Sequence, residues 1–204
     1  YLDSEELLIN TGSFNYMNSV EGRYGKSSIS HNALSIDGQP TSLSKRDRFI
    51  PGSYRRKNFS IKNTNTKKYF ILEVVHDGFS RLFNHKVLHK RKIIFCEKKI
   101  RILDTLYAEE NLNVRITNHW PVRFEYLFND LIKDNNKKIT RIIINKSSSI
   151  SKKNSNYYIE SLSPFAGWRS QDYGSKEKCI SHISDFYFKS KGSITQQVRG
   201  GEQM

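Results

Sequence analysis

The segment KVLHKRKIIFCEKKIRILDTLY, residues 86–107, consists of two strand-like runs on either side of a short polar connection. The runs KVLHKRKIIF (86–95) and IRILDTLY (100–107) are rich in the β-branched and aliphatic residues that suit a pleated, half-buried surface. Two such runs joined by the polar residues CEKK predict a β-hairpin. We therefore expect the two runs to pair as antiparallel strands.

Short strand-like segments with turn residues between them continue on both sides of this hairpin. They are LLIN (7–10), NALSID (32–37), NFSI (58–61), YFILEVV (69–75), NVRIT (113–117), TRIII (140–144), NYYIESL (156–162) and SDFYF (184–188). Strands and helices do not alternate, which argues against a parallel doubly wound sheet. The pattern predicts an all-β fold: a single antiparallel β-sandwich over residues 1–204, with an ordered core at about 7–190.

Two segments fall outside this pattern. In VRFEYLFNDLIK (122–133) apolar residues recur at helical spacing, yet a proline precedes the run and aromatic residues crowd it. We expect either a short helix or an irregular edge strand there. The tail, residues 196–204, is expected to fray, as chain ends commonly do.

The composition suits a folded domain. Of the 204 residues, 36% are hydrophobic and 12% aromatic, which is enough for a packed core and argues against disorder. No apolar run approaches the roughly 20 residues that span a bilayer, so no membrane span is expected. The chain begins at Tyr1 and shows no signal peptide, so we expect a mature product or an excised fragment.

The charge balance is strongly basic. The chain has 34 Lys and Arg against 20 Asp and Glu, a net charge of +14, which favours polyanionic partners such as nucleic acid, acidic polysaccharide or an anionic membrane. The alternative is a Lys- and Asn-rich surface that is merely solvated. A nucleic-acid partner is not expected, because the sequence has no recognised binding motif and no clustered stacking platform.

The cysteines give little information. Cys96 and Cys179 form neither a metal-spaced pair nor a disulfide framework. Two buried free thiols are the favoured interpretation, a single bridge stays open as the alternative, and the redox compartment is undecided.

Familiar catalytic signatures are missing from the sequence: it has no P-loop, GxGxxG, HExxH or GxSxG motif. Six histidines lie near the ends of predicted strands. Three of them are interpreted as ordinary surface or half-buried residues: His85, His119 and His182. The other three lie in richer settings: His31, His76 and His89.

His76 opens the polar turn HDGFSRL after a predicted buried strand. His89 precedes Arg91 by two positions on one face of a strand, and a guanidinium binds planar anions bidentately, so this pair could clamp a carboxylate. The alternative is an ordinary solvent face with paired charges.

The order of these segments resembles the C-terminal domain of the heparinase II/III-like polysaccharide lyases. The family has an Asp-Pro-Gly-Thr-Tyr turn, a His-Asn-Thr-Val strand closed by Asp-Gly, a His-Asp-Gly-Tyr turn, a His-Arg-Arg strand and a Trp-Ser…Tyr-Gly segment. The corresponding pieces here are LLINTGSFNY, GRYGKSSISHNALSIDGQ, VVHDGFSRL, VLHKRKIIF, IRILDTL, NHWP and FAGWRSQDYGSKE. They cover about residues 7–180, and their number and order make the resemblance fairly specific.

The resemblance implies a structural metal, usually zinc, in lyases of this type. His31 matches the histidine of the family's His-Asn-Thr motif, and Asn10 occupies the position of the Asp-Pro-Gly aspartate. The remaining family ligand comes from a His-x-His segment that would precede Tyr1. Because an asparagine is a neutral and poorer zinc ligand than a carboxylate, no cofactor is expected in this chain alone, while zinc is possible in the intact parent.

The resemblance also implies β-elimination on acidic polysaccharide. The family's catalytic residues lie upstream, mainly on an N-terminal (α/α) toroid, so no catalytic residue is expected in this chain and that toroid is an expected partner. A periplasmic or cell-envelope location follows by the same resemblance.

On this interpretation the stretch GRYGKSSISHN (22–32) forms one wall of a cleft. Arg23 would bind a uronate carboxylate, Tyr24 would lie against a sugar ring, and His31 would donate or accept a hydrogen bond. The alternative is that Tyr24 packs on the sandwich edge and that Arg23 pairs with Glu21 or another acid. Two weaker candidates complete the wall: His76 and Arg91.

The favoured function is therefore the C-terminal part of a lyase acting on uronate-containing polysaccharide, inactive by itself. The main alternative is a non-catalytic carbohydrate-binding β-sandwich, which Asn10 in place of an aspartate favours. A nucleic-acid binder is a third hypothesis, which rests on the net charge alone.

Overall fold

The computed structural model describes residues 6, 8–15, 17, 19–40, 44–45, 48–49, 59–96, 99–123, 139–146, 150–159, 166–189 and 191–200. The strands are β1 (Leu34–Ile36), β2 (Ser44–Lys45), β3 (Arg48–Phe49), β4 (Phe59–Asn65), β5 (Tyr69–His76), β6 (Leu88–Cys96), β7 (Lys99–Tyr107), β8 (Leu112–Pro121), β9 (Ile139–Lys146), β10 (Ile150–Ile159), β11 (Trp168–Arg169), β12 (Glu177–Phe188) and β13 (Lys191–Gly200). The helical segments are short: α1 (Val20–Gly25) and two 3-10 helices, Ser28–Ser30 and Gly78–Leu82.

The strands form two main sheets and a small ribbon, and every described pairing between named strands is antiparallel. One sheet has the order β4-β5-β6-β7-β13-β9. The other has the order β1-β8-β12-β10, with β11 added to β12, while β2 pairs with β3. No helix within the described ranges is long and apolar enough to cross a membrane.

The predicted hairpin is confirmed. Leu88 of β6 lies opposite Tyr107 of β7, and the pairing continues without a break to Cys96 opposite Lys99. Strand β7 alternates buried and partly exposed side chains along its whole length, as expected where one sheet face covers a core and the other meets solvent. This alternation fixes which side chains of the hairpin point inward.

Both sheets contribute to one core, which establishes the sandwich. Leu106 and Ile194 from the six-stranded sheet pack in the same cluster as Val114 and Phe186 from the five-stranded sheet. Further members of the cluster are Leu34, Ile36, Phe79, Val87, Leu112, Ile116 and Phe188. The all-β antiparallel sandwich predicted from the sequence is confirmed.

The prediction that the chain frays from residue 196 is wrong for residues 196–200. They belong to β13, which pairs with β7 on one side and β9 on the other. Gln196 is buried and accepts a hydrogen bond from the Asn118 side chain of β8, so the two sheets are also joined by a polar contact. A strand paired on both sides cannot fray independently of its neighbours. Residues 201–204 lie outside the described residues.

Three other sequence predictions have different outcomes. Residues 8–10 of LLIN do not form a strand; they are a loop anchored by the Ile9 N–H, which donates to the His119 carbonyl at 3.0 Å. The ambiguous segment 122–133 lies almost entirely outside the described residues. Cys96 and Cys179 are both unbridged; Cys179 is buried, as predicted, whereas Cys96 is only partly buried.

Candidate functional site

The loop that carries Asn10 is anchored beside the start of β1. The carbonyl of Ile9 accepts a hydrogen bond from Asn32 Nδ2 at 2.8 Å. Asn10 Oδ1 accepts the Gly12 N–H at 3.2 Å, a local Asx-type turn. The same oxygen lies 3.2 Å from Nδ1 of His31. The two residues that the resemblance pairs as metal ligands are therefore in contact.

The His31 ring lies in a partly buried setting between the first 3-10 helix and β1. Burial lowers the pKa of His31, and a hydrogen bond to the Gly25 carbonyl only partly offsets it. The neutral imidazole is thus the favoured form near neutral pH, and it offers a nitrogen lone pair for a hydrogen bond or a metal.

The donors present do not make a zinc site by themselves. One imidazole and one neutral amide oxygen stand together, and that oxygen already accepts the Gly12 N–H. Within the described part of the chain, no group of three or more His, Cys, Asp or Glu side chains is arranged to hold a metal ion. Zinc normally takes at least three protein ligands, with thiolate, imidazole or carboxylate donors.

Helix α1 places Arg23 and Tyr24 in opposite environments. The helix begins at the cap Ser19, whose hydroxyl accepts the Gly22 N–H at 3.0 Å. Arg23 is exposed to solvent, whereas Tyr24 is only 1% exposed and packs on Trp168 with ring centroids 4.9 Å apart. The prediction that Tyr24 lies against a sugar ring does not fit this structure, because a buried ring has no face left for a ligand.

Glu21, which the sequence offered as a partner for Arg23, binds Lys176. Its Oε1 lies 3.2 Å from Nζ of Lys176. Lys176 lies over the rings of Phe14 and Trp168, at 5.0 and 4.8 Å from their centroids. This pair ties α1 to the segment around β11, so the helix is held firmly while Arg23 faces outward.

The carboxylate clamp predicted for His89 and Arg91 exists, but it is filled by a residue of the same chain. Arg91 binds Asp104 bidentately, with Nε 2.7 Å from Oδ1 and Nη2 3.0 Å from Oδ2. His89 Nε2 lies 2.8 Å from the same Oδ1. The planar fork of Arg91 is engaged with Asp104, which does not fit the predicted direct role of Arg91 in substrate binding.

Asp104 is 1% exposed, so its charge needs these partners. Burial alone would raise the pKa of this carboxyl, but the Arg91 charge and the His89 hydrogen bond outweigh it and hold the pKa well below the usual range. The carboxylate is ionised at all ordinary pH values. Sequence could have indicated it, because Asp104 occupies an inward position in the alternation of IRILDTL.

His76 extends this cluster toward the surface. Its Nδ1 accepts the Gly78 N–H at 3.1 Å, and its Nε2 lies 3.0 Å from His89 Nδ1. An Nδ1 that accepts a backbone N–H carries no proton, so the His76 proton is on Nε2 and points at His89. His89 then accepts on Nδ1 and donates from Nε2 to Asp104. Both ring nitrogens of His76 are engaged, which does not fit the predicted direct role in substrate binding.

Asn32 joins the two halves of the site. Arg91 Nη1 donates to the Asn32 carbonyl at 2.7 Å, and the Asn32 side chain accepts the His119 N–H at 2.7 Å. Hydrogen bonds therefore run from the loop at Ile9, through Asn32, to the Arg91–Asp104 pair. Sequence reasoning missed this role, which depends on the spacing between the two sheets.

Two of the remaining histidines, His119 and His182, are buried, and not at the surface or half-buried as the sequence predicted. His119 Nδ1 lies 2.9 Å from Ser181 Oγ and its Nε2 lies 2.9 Å from the Ile29 carbonyl. Burial lowers the pKa of His119 to about 4, and burial with the nearby Lys152 charge lowers the pKa of His182 to about 4. Neither ring is accessible to a ligand.

A known protein family matches almost the whole chain that carries this site. The family model described as "Heparinase II/III-like, C-terminal" matches residues 1–199. The chain belongs to this family. The resemblance drawn from the order of the sequence segments is confirmed.

Solved structures share the fold of this heparinase II/III-like domain at low sequence identity. A heparinase III aligns with a TM-score of 0.61 and 12% identity, over 97% of this chain and 28% of its own. Heparan sulfate lyase HepC from Pedobacter heparinus aligns with a TM-score of 0.55 and 13% identity, over 98% and 29%. The chain thus spans less than a third of the length of these structures, and the likeness establishes the fold alone. No curated protein matches it by sequence.

Proposed function

We propose that this chain is the C-terminal part of a polysaccharide lyase that cleaves acidic, uronate-containing polysaccharide by β-elimination. The family match over residues 1–199 carries the proposal. In this reaction a base removes the proton at C5 of the uronate, the C4–O bond breaks, and an acid protonates the departing oxygen. A C4–C5 double bond remains in one product, so no oxidant or reductant is needed.

The chain's own contribution is to bind the polymer, and it does not turn over alone. Arg23 is exposed on a helix that is anchored to the five-stranded sheet, so its guanidinium can bind a carboxylate or sulfate of the polymer. His31 lies nearby in sequence, partly buried and with a lowered pKa, and can share a hydrogen bond with a sugar hydroxyl. Tyr24, His76 and Arg91 support these residues from within the fold.

A structural zinc in the intact parent is part of the proposal. His31 would supply an imidazole nitrogen, Asn10 at most a weak amide oxygen, and the rest of the ligand set would come from outside this chain. Such a metal would fix the loop at Asn10 against the start of β1. We also propose a periplasmic or cell-envelope location, where an extracellular polysaccharide would be met.

The test uses the longer parent protein, with cleavage of heparan sulfate and of a non-sulfated polyuronate followed by the ultraviolet absorbance of the new double bond. Arg23→Ala should lower kcat/KM by at least about tenfold, the loss expected for one charge-assisted hydrogen bond. The melting temperature should stay nearly unchanged, because the side chain is exposed. Lys68→Ala, in the exposed turn between β4 and β5, is the matched control and should leave cleavage unchanged.

A second candidate is a non-catalytic carbohydrate-binding module, favoured by the neutral Asn10 where the family has an aspartate. This alternative predicts that the parent binds polysaccharide without forming a double bond. Cleavage at an ordinary rate by the purified parent excludes the module. Binding without any cleavage, over a range of uronate polymers, excludes the lyase.

A further inference from the structure

The alternation of strand β6 divides the run HKRK into two chemically different pairs. His89 and Arg91 point inward to Asp104, so Lys90 and Lys92 point to the opposite face of the six-stranded sheet. Lys90 and Lys92 therefore take no part in the hydrogen bonds that link His89 and Arg91 to Asp104, and they lie on the other side of the sheet.

Neighbouring strands place more cations on this outer face. Lys62 of β4 and Lys92 of β6 lie on either side of Glu73 of β5 in one row across the sheet. Strand β7 adds Lys99 and Arg101, at the partly exposed positions of its alternation. We call this surface the basic face; it consists of Lys62, Glu73, Lys90, Lys92, Lys99 and Arg101.

Glu73 is the one acid among the described side chains of the basic face, and its pKa reflects the positive charges around it. Lys90 Nζ lies 2.9 Å from Glu73 Oε2. The hydrogen bond from Lys90 lowers the pKa of Glu73, and the charges of Lys90, Lys92 and Lys62 lower it further. Five cations around one carboxylate leave a net charge of +4 on the side chains of this face. Adjacent strands are about 5 Å apart, so Lys62 and Lys92, two strands apart in the same row, lie about 10 Å from each other, close to one Debye length.

We propose that the basic face is a second binding surface for a polyanionic chain, separate from the cleft wall at Arg23 and His31. A sheet face with cations on three of its strands, β4, β6 and β7, suits a linear polymer with repeating carboxylate or sulfate groups. Lysines bind such groups as point charges and require no single geometry. The choice of acidic polysaccharide over other polyanions rests on the proposed function, whereas the binding surface itself does not.

Nucleic acid is the competing polyanion. Its single-stranded form is bound by aromatic platforms interleaved with cations. Among the residues that the structure describes, the exposed tyrosines on this side of the sheet, Tyr69 and Tyr107, stand at opposite ends of their paired strands and do not form such a platform. The observations therefore favour a polysaccharide, and an oligonucleotide becomes an arm of the test.

The test measures heparin binding by the 204-residue chain, by calorimetry at low and moderate salt. The double variant Lys62→Gln/Lys92→Gln should weaken binding by about five- to tenfold and reduce its salt dependence. The control Lys152→Gln/Lys189→Gln removes the same charge from exposed positions on β10 and just after β12, and should weaken binding less than twofold. Equal losses in the two double variants would show that only net charge matters and would overturn the proposal.

A third variant gives an effect of opposite sign. Glu73→Gln removes the single acid of the basic face and frees Lys90, so it should tighten heparin binding by about twofold, which misfolding cannot imitate. Unchanged or weaker binding in a folded Glu73→Gln protein counts against the basic face. Tighter binding of an oligonucleotide than of heparin, lost in Lys62→Gln/Lys92→Gln, would overturn the polysaccharide assignment. The lyase activity of the parent is measured separately. If the parent is inactive but its heparin binding still depends on the basic face, the proposed function is refuted and the basic-face proposal is not.

Discussion

Nδ1 of His31 lies 3.2 Å from Oδ1 of Asn10, although 21 positions separate the two residues in sequence. Asn10 reaches this position because Ile9 is held on both backbone groups, by the His119 carbonyl and by the Asn32 side chain. The hydrogen bonds of Ile9 therefore hold Asn10 beside His31.

Asn10→Asp should raise the pKa of His31, because a carboxylate beside an imidazole favours the imidazolium form while burial acts against it. The measurement is an NMR titration of the His31 ring in both proteins. The same substitution should increase zinc affinity, read as a zinc-dependent rise in melting temperature, whereas the wild-type chain should purify without stoichiometric zinc. About one zinc per wild-type chain would show that the amide suffices as a ligand.

Arg91→Met should destabilise the fold by about 3 kcal/mol or more, since it leaves the buried Asp104 without its cationic partner. Urea unfolding measures the loss. In an Asp104→Asn background the same change should cost much less, because the buried charge is gone and His89 keeps an acceptor. Equal costs in the two backgrounds would mean that Arg91 acts through packing alone.

Arg115→Met is the matched control for Arg91→Met. Arg115 holds Asp185 with the same bidentate geometry, at 2.7 and 3.1 Å, but on the solvent side of the sandwich with 39% of the arginine side chain exposed. An exposed pair contributes little, so this variant should cost less than about 1 kcal/mol.

His76 and His89 should both carry their single proton on Nε2. The Gly78 N–H fixes the His76 tautomer, and the contact between the rings then fixes that of His89. Nitrogen-15 NMR of the ring nitrogens near neutral pH distinguishes the two tautomers and the cation. A proton on Nδ1 of either ring, or a doubly protonated His89, would contradict the direction of this hydrogen-bonded chain.

The sequence predicted the sandwich because alternation is a local property, and β7 shows it without a break. The sequence predicted that Arg91 binds a carboxylate, but it did not identify that carboxylate as Asp104. Asp104 lies opposite Arg91 only because of the register between β6 and β7. Tyr24 was assigned to the wrong surface because its burial depends on Trp168, which lies far along the chain. Strand β13 was missed because GSITQQVRG is polar, and its two strand partners, not its composition, hold it in the sheet.

Stability should rise with pH between about pH 4 and pH 6.5 because of the buried histidines. The pKa values of His119 and His182 are about 4 in the fold, below the ordinary imidazole value, so in this window the unfolded chain binds more protons than the native chain. Protonation therefore favours unfolding as the pH falls. Each ring accounts for about 2 kcal/mol between about pH 7.5 and about pH 5, a range over which Asp104 stays ionised in the fold.

His119→Gln isolates one of these contributions. The measurement is the free energy of unfolding in urea at about pH 7.5 and about pH 5, and the difference between the two values should shrink by about 2 kcal/mol in the variant. Comparing the two pH values within one protein cancels any uniform loss from altered packing, such as the contact with Ser181. The His182 contribution should persist in the same variant, because its ring lies on β12 and is held separately. A His119→Gln protein with the full wild-type pH dependence would mean that His119 is not the group that titrates on unfolding.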